Sequence, residues 1–211
     1  MIGIIGNKLR MINLFKENIL YPCTIIYSNP NKILEIKKNN NNNYSLILGY
    51  NIIKKVNKPL MGYFLKIKKK FYKKIIEFNK IKKKYILKYI NKKYINLNIF
   101  KIGEKVDISG ISIGKGFQGV VKRYNFSGVG DKTHGQHNRL RTSGSIGAGT
   151  YPSKVIKGMK MSGRMGNKKV TIKNLKILDI DLKNNFLIIK GSVPGNNKNF
   201  LIIKKKYENK K

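Results

Sequence analysis

Residues 110–168 hold thirteen of the chain's twenty glycines and eleven lysines or arginines, with Asp131 as the one acid. Large aliphatic side chains are sparse there, so the stretch has little apolar surface to set against the roughly 1–2 kcal/mol that ordering each residue costs. A segment of this length without a core is either disordered or shaped by a partner. Glycine permits close backbone approach and positive φ. Together these features describe a strand of protein threaded through another molecule. The charge indicates which kind: 46 Lys and Arg stand against 9 Asp and Glu, a net +37 over 211 residues. A folded chain with that charge repels itself unless a polyanion neutralises it. Nucleic acid fits best. An anionic membrane surface would need an amphipathic helix with a strong apolar face, and the glycine-rich stretch argues against one.

The flanks have a different texture. Residues 1–52 carry short β-rich runs at Ile2–Ile5, Cys23–Tyr27, Ile33–Ile36 and Ser45–Leu48, separated by Asn29-Pro30-Asn31 and the run Asn39–Asn43. They read as antiparallel sheet, with the Asn run as a solvated loop. Residues 169–206 return to that pattern with Val170–Ile172 and Leu175–Ile180. A turn at Lys183-Asn184-Asn185 then leads into Phe186–Ile189, the loop Gly191–Gly195 and a last strand Phe200–Ile203. The β-rich ends bracket everything else and are expected to close on each other as one barrel.

Between them, sixteen lysines fall from Lys54 to Lys93, with Glu77 the only acid among them. Ile67, Phe71 and Ile75 are four apart and suit a helix face, whereas Ile76 and Phe78 alternate like a strand. Period alone does not decide. Basic residues interleaved with Phe71, Tyr72, Phe78, Tyr85 and Tyr89 suit RNA, but lysine drift on a solvated face is an equal reading. Lys, Asn, Ile and Tyr are the residues of AT-rich codons, so single lysines say little. The five arginines say more, and four of them, Arg123, Arg139, Arg141 and Arg164, lie in the glycine-rich stretch. A retained Arg suggests a site that needs the planar fork for phosphate or base stacking.

Competing chemistries fail on their own requirements. Gly114-Lys115-Gly116-Phe117-Gln118-Gly119 matches GxGxxG, but no helix is expected after it and no acid lies about twenty residues on, as dinucleotide binding requires. His134 and His137 form His-x-x-His, yet zinc needs three or four ligands and only Asp131 is near. No cofactor or metal is expected. Catalysis would need a carboxylate pair or a nucleophile with a base, and Ser143, Ser145 and Ser153 have no such partners. Cys23 is the only cysteine, which excludes an internal disulfide; it lies in an apolar run and is expected in the core. No apolar run approaches the roughly 18 residues of a membrane span, and the first residues lack a signal peptide's charged front. A soluble, intracellular protein is expected.

The residues expected to contact RNA follow from donor type and stacking capacity. Lys115, Lys122, Arg123 and Tyr124 come first. His134, Gln136, His137, Asn138, Arg139 and Arg141 form a dense central run. Ser145, Thr150, Lys154, Lys157, Lys160, Arg164 and Lys168 complete the set.

Four blocks in this region resemble a known family. They are Gly114–Arg123 (GKGFQGVVKR), Thr133-His134-Gly135, Gly144-Ser145-Ile146-Gly147, and Lys157–Asn167 (KGMKMSGRMGN). In order and spacing they are similar to bacterial ribosomal protein L-three, and the likeness extends to Lys8-Leu9-Arg10-Met11 and Val193-Pro194-Gly195. The resemblance is weakest from Leu65 to Ile99. It implies a mainly β fold: a closed antiparallel barrel with a small α+β insert, in which a short helix precedes a strand, and a long glycine-rich, basic arm. It implies direct binding to large-subunit rRNA near its 3′ end, nucleation of assembly, an arm toward the peptidyl transferase centre, and no catalytic role. The neighbours it implies are the L-fourteen and L-nineteen proteins, in the large subunit of a bacterial or bacterial-derived ribosome. The corresponding division is a barrel of 1–52, 98–122 and 166–205, an insert of 53–97, an arm of 123–165 and a charged tail of 206–211. Some family members carry a methylated Gln where this chain has Thr150, so that modification is not expected. The alternative, an RNA-acting enzyme or translation factor on a similar barrel, would require a carboxylate or nucleophile cluster.

Overall fold

The chain begins with a long hairpin. β1 (Gly3–Lys16) and β2 (Ile19–Tyr27) pair antiparallel from Asn7↔Tyr27 to Lys16↔Ile19. Glu17 and Asn18 both take positive φ, 51° and 59°, as a two-residue turn that matches the strand twist requires. β3 (Asn31–Lys38), β4 (Asn43–Ile52), α1 (Lys58–Lys66), β5 (Tyr72–Lys82), α2 (Lys83–Ile86) and β6 (Tyr94–Ile95) follow, then β7 (Lys105–Ile111). β8 (Gly116–Gln118), α3 (Val120–Tyr124) and β9 (Gly163–Met165) precede β10 (Lys169–Asp181), β11 (Phe186–Lys190) and β12 (Phe200–Lys205). The computed structural model describes residues 2–38, 43–90, 92–130, 132 and 134–205; most of the asparagine run and the expected tail lie outside them. The chain divides into two compact units, Met1–Ile111 with Lys169–Lys211, and Ser112–Lys168.

In the first unit the fold is mainly β. Six strands pair in the cyclic order β1-β12-β7-β10-β11-β2, every neighbour antiparallel. Alternation places the apolar residues. In β11 Leu187 and Ile189 are buried and Ile188 is not, and in β12 Leu201 and Ile203 are buried while Ile202 is only partly so. Successive strand side chains point to opposite faces, so these residues line one side with Ile26, Val106, Ile108 and Ile177.

A second, four-stranded sheet has the order β5-β4-β3-β6. This corrects the expectation that residues 1–52 all belong to the barrel: β3 and β4 pair instead with β5 and β6. Alternation marks a strand and its faces but not its neighbours. β4 is buried on both faces, because Leu46, Leu48 and Tyr50 join the main cluster while Ile47 packs with Leu34, Phe64 and Tyr72. Phe64 comes from α1, whose first turn holds Pro59, where a missing N–H is harmless. Ile67, Phe71 and Ile75 do not share a helix. Ile67 caps α1, Phe71 precedes β5, Ile75 lies within it, and all three pack on this second cluster.

Two buried polar side chains fix the framework. Where β2 leaves β1, Asn31 replaces the missing strand: its Oδ1 accepts the Ile5 N–H at 2.9 Å and its amide donates to the Ile5 carbonyl at 3.1 Å. Lys8, only 9% exposed, donates through Nζ to the carbonyls of Val193 and Gly195 at 3.0 and 2.9 Å. At the β10–β11 turn the Asp181 carboxylate accepts the backbone N–H and side-chain amide of Asn184 and the N–H of Lys183. The Asn184 bonds, more than any other influence, hold that carboxyl below the ordinary range.

Candidate nucleic-acid interface

Every residue expected to contact RNA lies in the second unit, Ser112–Lys168. Its base is a short ribbon. β8 pairs antiparallel with β9, Gly116↔Met165 to Gln118↔Gly163. Ser112 N–H donates to the Lys168 carbonyl at 2.9 Å, and Lys168 N–H returns a bond to Ser112 Oγ at 3.2 Å. Lys115 N–H bonds the Met165 carbonyl at 2.9 Å. α3 follows Gly119 directly, which corrects the expectation that no helix comes after the glycine motif. It spans five residues and ends where Asn125 turns left-handed at φ 59°. Two β-branched residues at its start, Val120 and Val121, disguise it in the sequence, since such residues are poor helix formers.

Burial separates this unit from the rest. Among its described residues Val120 alone is buried, and all nineteen residues from Gly144 to Ser162 are exposed. What order it has comes from backbone bonds and close approaches. Gly128, at φ 72°, lies so near Leu140 that an added Cβ would meet its carbonyl oxygen at 2.0 Å. Val129 N–H donates to that same oxygen at 3.2 Å, so this crossing of two chain segments requires glycine. A single 3-10 turn covers His137–Arg139 and is closed by Thr142 Oγ1 donating to the Arg139 carbonyl at 2.9 Å.

Lys115, Lys122, His134, Gln136, Asn138, Arg139 and Arg141 are exposed, as are Ser145, Thr150, Lys154, Lys157, Lys160, Arg164 and Lys168. Of His137 only the backbone is described. Arg123 and Tyr124 are half-buried and face each other, with the guanidinium 5.0 Å from the ring centroid. Two exposed aromatics were missing from the expected set: Phe117 is 75% and Tyr151 87% exposed. Large aromatic rings in a stretch with no core to bury them were the available signal. Bare rings among cations can stack on bases, and each cation can bond a phosphate. The two ion pairs found among the described residues, Lys37–Glu35 and Lys205–Glu104, both lie in the first unit. Among the described residues no group of three or more His, Cys, Asp or Glu could hold a metal. None of the described helices is long and apolar enough to cross a membrane.

The family description "Ribosomal protein L3" matches residues 84–184 of this chain. The "Large ribosomal subunit protein uL3" of Chlorobium phaeobacteroides is 42% identical over 199 residues, covering 92% of this chain and 94% of the relative. Identity at that level along nearly the whole length accounts for both the β framework and the glycine-rich unit. The chain belongs to the ribosomal protein L3 family, and so to the structural, non-catalytic components of the large ribosomal subunit, which in bacteria is cytoplasmic.

Proposed function

We propose that residues 123–165 are an arm threaded into large-subunit rRNA, carried by a body built from the ring and the four-stranded sheet. The body binds the rRNA directly near its 3′ end and nucleates subunit assembly. The arm reaches toward the peptidyl transferase centre, with the tip about Ser145–Ser153 deepest, because Gly147, Ala148 and Gly149 leave room for RNA backbone. Proteins of the L-fourteen and L-nineteen types are the neighbours in this reading. The expected contact residues from Lys115 to Lys168, Arg123 excepted, are its interface. The observation that carries the reading is the second unit's burial: among its described residues, one buried side chain beside fourteen exposed members of the expected set. A polyanion supplies what such a unit lacks, both counter-charge and packing surface.

Binding of the full chain to a 3′ fragment and a 5′ fragment of large-subunit rRNA, measured against salt, tests it. With about 6 to 10 phosphates neutralised, the log–log slope should be roughly −5 to −10. Tighter binding to the 3′ fragment is expected. A slope near zero overturns the electrostatic mode, and equal affinity for the 5′ fragment overturns the placement.

A further inference from the structure

Arg123 differs from the other arginines of the second unit. Arg139, Arg141 and Arg164 are exposed, whereas Arg123 is half-buried. Its Nη1 donates to the Met161 carbonyl at 2.7 Å, across a separation of 38 residues. Gly163 lies against the same nitrogen, where an added Cβ would sit 2.5 Å from Nη1. The guanidinium covers the Tyr124 ring at 5.0 Å, and Lys160 Nζ lies 6.0 Å from that ring's centroid. Phe126 packs at 6.4 Å from Tyr124. Arg123 stands at the end of α3, just where the loop leaves; Met161 and Gly163 stand where it returns. Its fork is therefore directed at protein, and it bridges the outgoing and returning stems of the segment 125–160.

We propose that Arg123 is a positioning residue that pins the base of the arm closed, and is not itself a phosphate contact. This rests on the RNA-binding reading of the arm. The physical need is plain: the ends of a long loop separate unless something offsets their closure entropy, and among this unit's described residues only Val120 is buried to help. A guanidinium suits the task because it stacks and donates at once, with its donors in a fixed plane. An ammonium offers a point charge in its place.

Two measurements on the full chain decide it. The first is amide exchange of the free protein, comparing wild type with Arg123→Met and Arg123→Lys. The amides of β8 and β9 should exchange at least several-fold faster in Arg123→Met, with Arg123→Lys restoring little, while β7 and β12 stay unchanged and so confirm folding. Unchanged exchange in β8 and β9 overturns the pin. The second is the salt slope of binding to the 3′ rRNA fragment. Removing a phosphate contact makes the slope shallower by roughly 0.7–0.9. Arg139→Gln should do that, and Arg123→Gln should weaken binding without changing the slope. A slope in Arg123→Gln that falls as it does in Arg139→Gln overturns the proposal, whatever the exchange shows. The exchange arm contains no RNA, so failure of wild type to bind the fragment would count against the function and leave the pin to be judged separately.

Discussion

The two units of this chain come from one genome and one compositional bias, yet they are held together by opposite means. In the first, alternating Ile, Leu, Val and Phe side chains build a cluster that spans the ring and the second sheet. In the second, one side chain among the described residues is buried, and order rests on a three-residue ribbon, a few loop bonds and Arg123. The hydrophobic effect scales with apolar area removed from water, so the first unit carries its own stability. The second has almost no such area to remove among its described residues. Charge is spread over both units; what distinguishes them is whether there is apolar surface to hide.

The largest expected effect tests that difference by truncation. Phe78 is 2% exposed in the main cluster, and Phe78→Ala should cost roughly 3–5 kcal/mol in denaturant unfolding. Tyr151, 87% exposed, should change stability by no more than about 0.5 kcal/mol when replaced by Ala, as surface sites do. Similar costs at the two positions would break the comparison. Next comes the framework's buried polar staple. Asn31→Ala strands the buried Ile5 N–H, and an unsatisfied buried donor costs roughly 1–3 kcal/mol by the same measurement. Third, Arg141→Gln should leave unfolding untouched and lower the magnitude of the RNA salt slope by roughly 0.7–0.9, the reverse of what core substitutions do.

The smallest effect concerns pH. Asp181's carboxyl is held low chiefly by the Asn184 N–H and side-chain amide. A depressed folded value gives stability that is present above the unfolded value of about 3.9 and lost as pH falls through the folded one. Asp181→Asn should therefore flatten the acid limb of the stability–pH curve slightly, below about pH 4. An unaltered acid limb would show that the turn bonds do not persist in solution.

Much of this contrast could be read from the amino acids. The runs Ile33–Ile36, Ser45–Leu48, Leu175–Ile180, Phe186–Ile189 and Phe200–Ile203 all fall inside strands, because short β-rich runs bounded by turn residues mark strands whether one face is buried, as in β11, or both, as in β4. Which strands pair was not legible, and β3 and β4 therefore went to the wrong sheet. Nor was the length of the first hairpin, since Glu17-Asn18 is not among the common turn pairs and Asn7–Lys16 mixes polar with apolar residues. Lys8 looked like one more surface cation. Its burial became visible only when β1 met the Val193–Gly195 loop, 185 residues on. Exposure across the glycine-rich unit followed from composition. The inward turn of Arg123 did not, because composition counts forks and says nothing of where they point.

The central claim, that the first unit is ordered by its own core and the loop of the second by RNA, is tested most directly by amide exchange of the full chain, free and bound to the 3′ rRNA fragment. The account predicts strong protection of β7, β11 and β12 in both states. For residues 125–160 it predicts near-unprotected exchange in the free chain and marked slowing in the complex. Protection of residues 125–160 equal to that of the ring in the free protein would contradict it.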